Sequence, residues 1–315
     1  MLALNLSKPR TMKSKVLLFG ATGSLGQFVF WELIQRGFTV TVVVRDKIKA
    51  VELFSYWATI VELDNQNISS ISSDLFLSHD MVISLLGNRI SHSFNMDQTG
   101  GMDFFEANDF ILRQSIQHKV KKFGVVSPFH EKGLLKQSYF KRHEEFKNLV
   151  INSGVNYTIL SSTLLFSSLT RQLKLAKKGK NIVVGEGLAR VNPIFDGDVA
   201  KLLVESLSLD KKYIECGGPE IFTRLELAQK LQLFSEEEFK VRKMNPLAIP
   251  TSLPYLKIKN SIMHDRLAYF YYVNRHDFIT TSMGSVTLNE YLSNRIYEKL
   301  KSRDRMWMLQ KLLVA

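Results

Sequence analysis

Residues 15–26 read Lys-Val-Leu-Leu-Phe-Gly-Ala-Thr-Gly-Ser-Leu-Gly, an apolar strand that runs straight into a turn punctuated by three glycines. Gly20 lets the chain turn sharply as it leaves the strand, Gly23 lets the backbone approach a pyrophosphate, and Gly26 lets the following helix pack closely on the sheet. The unpaired N–H groups at that helix start then face phosphate oxygens. The flanks supply the context that the glycines alone lack. Val16 to Phe19 is the short apolar run of a buried parallel strand, and Leu25, Phe28, Val29 and Leu33 share one helical face until Gly37 stops the helix. A second strand, Phe38 to Val44, completes a βαβ unit, so Gly20, Thr22, Gly23, Ser24, Leu25 and Gly26 are expected to hold a dinucleotide.

Alternating strand and helix patterns continue beyond this unit, with strands expected at Ala58–Asp64, Asp80–Gly87, Lys122–Ser127 and Val155–Ser161. Helices are expected over residues 101–119, with Phe104, Phe105, Ile111, Leu112 and Ile116 buried, and over residues 139–153. Further on the pattern loosens. Short strands are expected at Ile182–Val184 and Lys212–Cys216, helices near 197–207 and 223–233, an irregular connection through Pro246, Pro250 and Pro254, and a mostly helical remainder. The fold class is α/β, a Rossmann-type doubly wound parallel sheet with a small, mostly helical C-terminal substrate-side part. The expected division is a flexible tail at 1–13, a nucleotide-binding domain at 14–235 and a helical extension at 236–315.

Composition removes several chemistries. The chain has 315 residues, 45% of them hydrophobic, which is ample for a core of this kind. Its single cysteine, Cys216, rules out a disulfide framework or a cysteine-rich metal site, and fits a reducing compartment. Neither HExxH nor GxSxG occurs, so metal-dependent and serine hydrolysis have no support and no metal is expected. No apolar run reaches the ~18 residues of a membrane span. The basic residues before Lys15 lack an apolar stretch, so a cytoplasmic location is expected, with organelle import left open. The net charge of +12 is spread over clusters such as Lys119, Lys121, Lys122 and Lys177, Lys178, Lys180, without an aromatic recognition motif. A basic surface that attracts a polyanionic cofactor is expected rather than nucleic acid.

The end of the second strand chooses the cofactor. An acidic residue there accepts from a ribose diol, whereas a guanidinium accommodates the extra phosphate of NADP. Arg45 occupies that point and its planar fork suits a phosphate, so NADP(H) is preferred, with NAD(H) as the alternative through Asp46. Asp64 is the candidate adenine contact. Leu86 and Gly87 are expected beside the cofactor at the sheet's carboxyl edge.

Several segments together resemble a known family: residues 20–26, Val-Val-Arg-Asp at 43–46, Val-Val-Ser-Pro at 125–128, Ser-Gly-Val-Asn-Tyr-Thr-Ile-Leu at 153–160, Asn-Pro-Ile-Phe-Asp-Gly-Asp-Val-Ala at 192–200 and Cys-Gly-Gly-Pro-Glu at 216–220. Over about residues 14–235 the chain is similar to the atypical short-chain dehydrogenase/reductases, specifically the NmrA-like NAD(P)-binding proteins. The resemblance implies a Rossmann domain with a C-terminal part that shapes a substrate cleft. In catalytic members a serine, a tyrosine and a lysine cooperate: tyrosine hands a proton to substrate, lysine binds the nicotinamide ribose, serine orients the substrate. By this resemblance Ser127 takes the serine position and Lys141 the lysine position. The YxxxK tyrosine has no counterpart, because Gln137 stands four before Lys141. Tyr139, two before it, lies nearly on the opposite helical face. His130 is a substitute donor. The resemblance leaves two readings: a reductase of an apolar carbonyl or activated double bond, and a non-catalytic sensor, regulator or assembly factor. The expected partner is a small-molecule substrate or none, with a homo-oligomer or protein partner open. The aromatic segment Tyr269 to Tyr272 is expected to pack a C-terminal helix, or to line the cleft or a partner surface. The basic, apolar tail at 303–313 is expected to form an amphipathic helix.

Overall fold

The computed structural model describes residues 14–63, 67–87, 104–169, 172, 181–209, 211–233 and 241–293. The expected tail at 1–13, Asp64, the lysines at 177–180 and the segment 303–313 lie outside these residues. Seven strands form one sheet in the order β3-β2-β1-β4-β5-β6-β9: Lys15–Phe19 (β1), Thr39–Val44 (β2), Ala58–Glu62 (β3), Met81–Ser84 (β4), Lys122–Pro128 (β5), Tyr157–Ser162 (β6) and Tyr213–Cys216 (β9). Every pairing in it is parallel; Val16, for example, is in register with Val40 on one side and Met81 on the other. Chain order reverses between β1 and β4, and at such a switch point the strand ends diverge and leave a crevice.

Side-chain alternation along β1 builds a core on each face of the sheet. Val16 and Leu18 pack into one cluster with Phe30 and Leu33 of α1 (Ser24–Gln35) and Leu203. Leu17 and Phe19 pack into the other with Ile111 of α4 (Phe104–Gln117) and Phe146 of α5 (Ser138–Asn152). Each such side chain contributes about 1.5–3 kcal/mol when fully buried, so the two layers fix where the sheet's carboxyl edge lies. Ile116, expected on the buried side of α4, is 41% exposed because the buried face runs through Asn108, Ile111 and Ser115, and Ile116 lies one residue round the helix from it. Two short helices that the sequence reading did not anticipate, α2 (Lys47–Phe54) and α3 (Ser73–Leu77), are nucleated by side-chain caps: Asp46 accepts from the Lys49 amide and Ser72 from the Asp74 amide.

The C-terminal part adds β7 (Ile182–Val184) paired with β11 (Arg242–Met244), and β8 (Arg190–Val191) paired with β10 (Phe222–Thr223). Helix α6 (Asp196–Ser208) packs on α1 and the central sheet, whereas α7 (Arg224–Leu233) packs on β7 and β10; α8 (Ala248–Lys259), α9 (Ser261–Arg275) and α10 (Leu288–Ser293) follow. The proline-rich connection expected near Pro250 and Pro254 is the helix α8. Pro250 sits in the first turn, where its missing N–H has no acceptor to lose, and only Pro254 forfeits a bond. The Asn-Pro-Ile-Phe-Asp-Gly-Asp segment ties this part to the sheet. Asn192 Nδ2 donates to the Thr280 carbonyl (2.8 Å), and Asp198 accepts from the Ser285 and Val286 amides (2.8 and 3.1 Å).

Asp196, in the same segment, is buried and accepts from Ser167 N–H (2.9 Å) and Oγ (2.5 Å). Burial outweighs these bonds and raises its carboxyl to about 6. The folded state therefore holds a proton that the unfolded chain releases between about pH 4 and 6, and stability falls as pH rises through that window. Relative to Asp196→Asn, the wild type is expected to gain about 2 kcal/mol between pH 7 and pH 4 in urea unfolding. A constant difference between the two proteins over that range would remove the assignment.

Candidate active site

The glycine turn is built by close backbone approach. Gly20 adopts a left-handed φ of +79°, and the Gly23 amide donates back to the Gly20 carbonyl at 3.1 Å. Gly23 caps α1 in an extended conformation with no side-chain bond to the helix start, which leaves the first helix amides without a side-chain cap. A Cβ on Gly26 would stand 2.1 Å from the Gly20 oxygen. This cradle of bare amides fits a pyrophosphate. Ser24 is exposed at the mouth, Thr22 is half-buried with its carbonyl accepting from Gln27 Nε2 (3.3 Å), and Leu25 points into the cavity described next.

Arg45 is exposed at the end of β2, and among the described residues it has no carboxylate partner. Asp46 has its Oδ1 committed to capping α2, 3.0 Å from the Lys49 amide. At the end of β4 the chain leaves the strand through Leu85, Leu86 and Gly87. Asn108, buried in α4, holds that exit by accepting from Ser84 Oγ (2.5 Å) and donating to the Leu86 carbonyl (3.1 Å). The sequence reading missed Asn108, because a single asparagine on an apolar helix face carries no local signal.

A cavity of about 440 Å³ opens beside this edge, running from Leu25 and Gly87 past Ser127 to Tyr269 and Arg224 of the C-terminal part. Ser127, the last residue but one of β5, is buried, and its Oγ has no hydrogen-bond partner among the described residues. The α5 face toward the cavity carries Tyr139 and His143, four residues apart and therefore one above the other. Gln137 starts the helix by accepting from the Tyr139 and Phe140 amides at 2.7 and 3.3 Å. Tyr139 packs edge-on to His143 (4.5 Å between centroids) and Tyr269 (5.1 Å). Burial raises its hydroxyl above the ordinary tyrosine range, so it holds its proton at neutral pH. His143 is buried, stacks on Phe104 at 4.3 Å, and leaves Nε2 without a partner among the described residues. Burial, with His130 and Arg142 adding repulsion, pushes it down to about 3, so it is neutral.

Lys141 is not part of this cluster. Its side chain is 65% exposed and lies 3.8 Å from Glu145 on the outward face of α5. The structure does not bring Lys141, expected as cofactor and catalytic lysine, to the cavity: residues 139 and 143 share the inward face and 141 is turned from it. The Tyr139-x-x-x-His143 spacing is the pattern that an alignment anchored on the lysine conceals. His130 is also occupied, with Nδ1 at 3.0 Å from the Pro128 carbonyl and Nε2 at 3.1 Å from Glu144, and it does not line the cavity. Of the aromatic segment, Tyr269 and Phe270 face the cavity while Tyr272 packs on the core.

A family model described as NAD(P)H-binding matches residues 20–210. The chain belongs to this NAD(P)H-binding family. The matched span begins at the first glycine of the turn and includes Ser127, Tyr139 and His143. Among curated relatives, the chain is 30% identical over 242 residues to the chloroplastic divinyl chlorophyllide a 8-vinyl-reductase of Cucumis sativus, covering 69% of this chain and 56% of that one. The chain thus spans about half the length of the first such relatives. It is 24% identical over 284 residues to the photosystem II assembly factor Ycf39 of Cyanidium caldarium, covering 88% and 86%. The fold matches the NADPH-dependent quinone oxidoreductase QOR2 of Escherichia coli, solved with NADPH, at a TM-score of 0.66 and 16% identity over 89% of this chain and 99% of that one. No helix among the described residues of this NAD(P)H-binding protein is long and apolar enough to cross a membrane.

Proposed function

We propose that the protein is an NADP(H)-dependent reductase of the atypical short-chain dehydrogenase/reductase type, acting on an activated double bond or carbonyl of an apolar substrate. One observation carries this reading. The cavity joins the carboxyl edge of the sheet to an aromatic C-terminal wall, and two buried polar atoms, Ser127 Oγ and His143 Nε2, adjoin it without partners among the described residues. Such atoms are costly unless a ligand satisfies them.

The bound nucleotide would supply the hydride. The amides at Ser24 to Gly26 would hold its pyrophosphate, and Arg45 its ribose phosphate. Ser127 Oγ donates a hydrogen bond to a substrate oxygen, and the apolar wall excludes water. Tyr139 keeps its proton, and neutral His143 lacks the positive charge by which a lysine at that place would ease the proton's release. This pairing suits conjugate reduction, where the oxygen needs only a hydrogen bond and the carbon is protonated afterwards, better than reduction of a plain ketone, whose alkoxide requires a proton at once.

The same neutral His143 favours a second reading, a nucleotide-binding assembly factor without turnover, and the assembly-factor relative matches over most of both chains. The chloroplastic relative favours an organellar home over the cytoplasmic one expected from sequence.

The test is NADPH oxidation over a panel of enones, quinones and aldehydes. Turnover is expected with an enone or quinone, reduced about 100-fold in kcat/KM by Ser127→Ala and unchanged by Lys141→Ala. Stabilisation by NADPH without turnover on any acceptor would favour the assembly-factor reading.

A further inference from the structure

We infer that Arg224 is an anion anchor, so that the ligand of this cavity is an apolar molecule with a carboxylate at one end. The inference rests on taking the cavity as the substrate site. Arg224 is the first residue of α7 and lines the cavity, and its Nε is buried with no hydrogen-bond partner among the described residues. The guanidinium lies 5.6 Å over the Phe278 ring, which holds its plane but neutralises no charge. Asp277 is within electrostatic reach, but its oxygens are taken by Arg190, whose amide, Nε and Nη2 donate at 2.7, 3.0 and 2.8 Å. Among the described residues Arg224 has no salt bridge.

A guanidinium set among Tyr269, Phe278 and Leu227 with no hydrogen-bonded counter-ion among the described residues is held at a cost, and burial pushes it down to about 10. A ligand carboxylate would relieve that cost by a charge-assisted pair in a water-poor setting. Position then gives the ligand its shape. From Arg224 the wall passes to Tyr269, on to Tyr139 at 5.1 Å between ring centroids, and on to His143 at a further 4.5 Å. The anionic end therefore sits at the cap and the apolar body lies along the rings. The reducible group reaches Ser127 at the sheet edge.

The test compares 1-pyrenebutyrate with its uncharged methyl ester by fluorescence titration of the full chain with saturating NADP+. The acid is expected to bind at least about tenfold more tightly than the ester, a ratio that falls towards one in Arg224→Met and Arg224→Gln and is partly restored in Arg224→Lys. The rise in thermal midpoint on adding NADP+, measured on the same samples, reports the fold and the nucleotide site separately. Loss of acid preference with that rise intact supports the anchor. Acid preference without any response to NADP+ supports the anchor while removing the nucleotide-dependent reading. Equal binding of acid and ester in the wild type, no binding of either, or a preference that survives in both neutral variants overturns the inference.

Discussion

Replacing Gly26 by alanine is expected to abolish NADPH binding and to destabilise the fold by about 3 kcal/mol, the upper end of what overpacking costs. The added methyl would stand 2.1 Å from the Gly20 carbonyl oxygen and 2.8 Å from the carbonyl carbon and Cα of Ala21. All three are backbone atoms, and none can rotate away. Relief requires α1 to move off β1, which would open the core at Phe30 and Leu33 and carry the helix's first amides away from the pyrophosphate position. Gly20 cannot yield instead, because it is held in the left-handed region and a Cβ there would already meet Leu85 backbone at 3.0 Å. Gly133→Ala is the matched control, since its Cβ would meet nothing within 4 Å. Urea unfolding and calorimetric titration with NADPH on both variants check this. Gly26→Ala binding NADPH like the wild type would mean that the turn is not the nucleotide cradle.

The turn was legible in the sequence because its chemistry is local. A strand, three spaced glycines and a helix face all act within twenty residues, and each β1 residue has only two faces to choose from. The parallel sheet followed from the same periodicities. The substrate side was less legible because it is assembled from distant segments. Ser127, Tyr139, Arg224 and Tyr269 meet only after β5, α5, α7 and α9 have packed, and no spacing in the chain records that meeting. Within a single helix the placement follows a local rule: the cavity face of α5 repeats every three to four residues, so it carries Tyr139 and His143, and Lys141 falls between them on the other side. The prolines of α8 misled for a different reason. Proline signals a break only where an N–H is needed, and Pro250 falls where none is.

Arg45→Ala is expected to weaken NADPH binding by about 10- to 100-fold and to leave NADH binding unchanged, which corresponds to loss of a charged hydrogen-bonded contact of about 1.5–3 kcal/mol. The argument turns on what each neighbour is already doing. Arg45 ends β2, stands exposed and has no carboxylate partner among the described residues, so its fork is available to the phosphate that distinguishes the two nucleotides. Asp46, the natural acceptor for a ribose diol, instead caps α2 through the Lys49 amide. Turning it to a ribose would forfeit the cap, at a cost of about 1 kcal/mol. Glu62, at the end of β3, is likewise engaged, its Oε1 lying 3.4 Å from the Lys47 amide. In the proposed site, selectivity for NADPH would rest on the guanidinium and not on repulsion of NADH, and removing it should erase the preference without creating the opposite one. Exposure also makes the contact salt-dependent, so the NADPH advantage should shrink between low and high ionic strength in the wild type and stay flat in the variant. Equal losses for both nucleotides would place Arg45 in general electrostatic attraction, and no loss for either would place it in solvent.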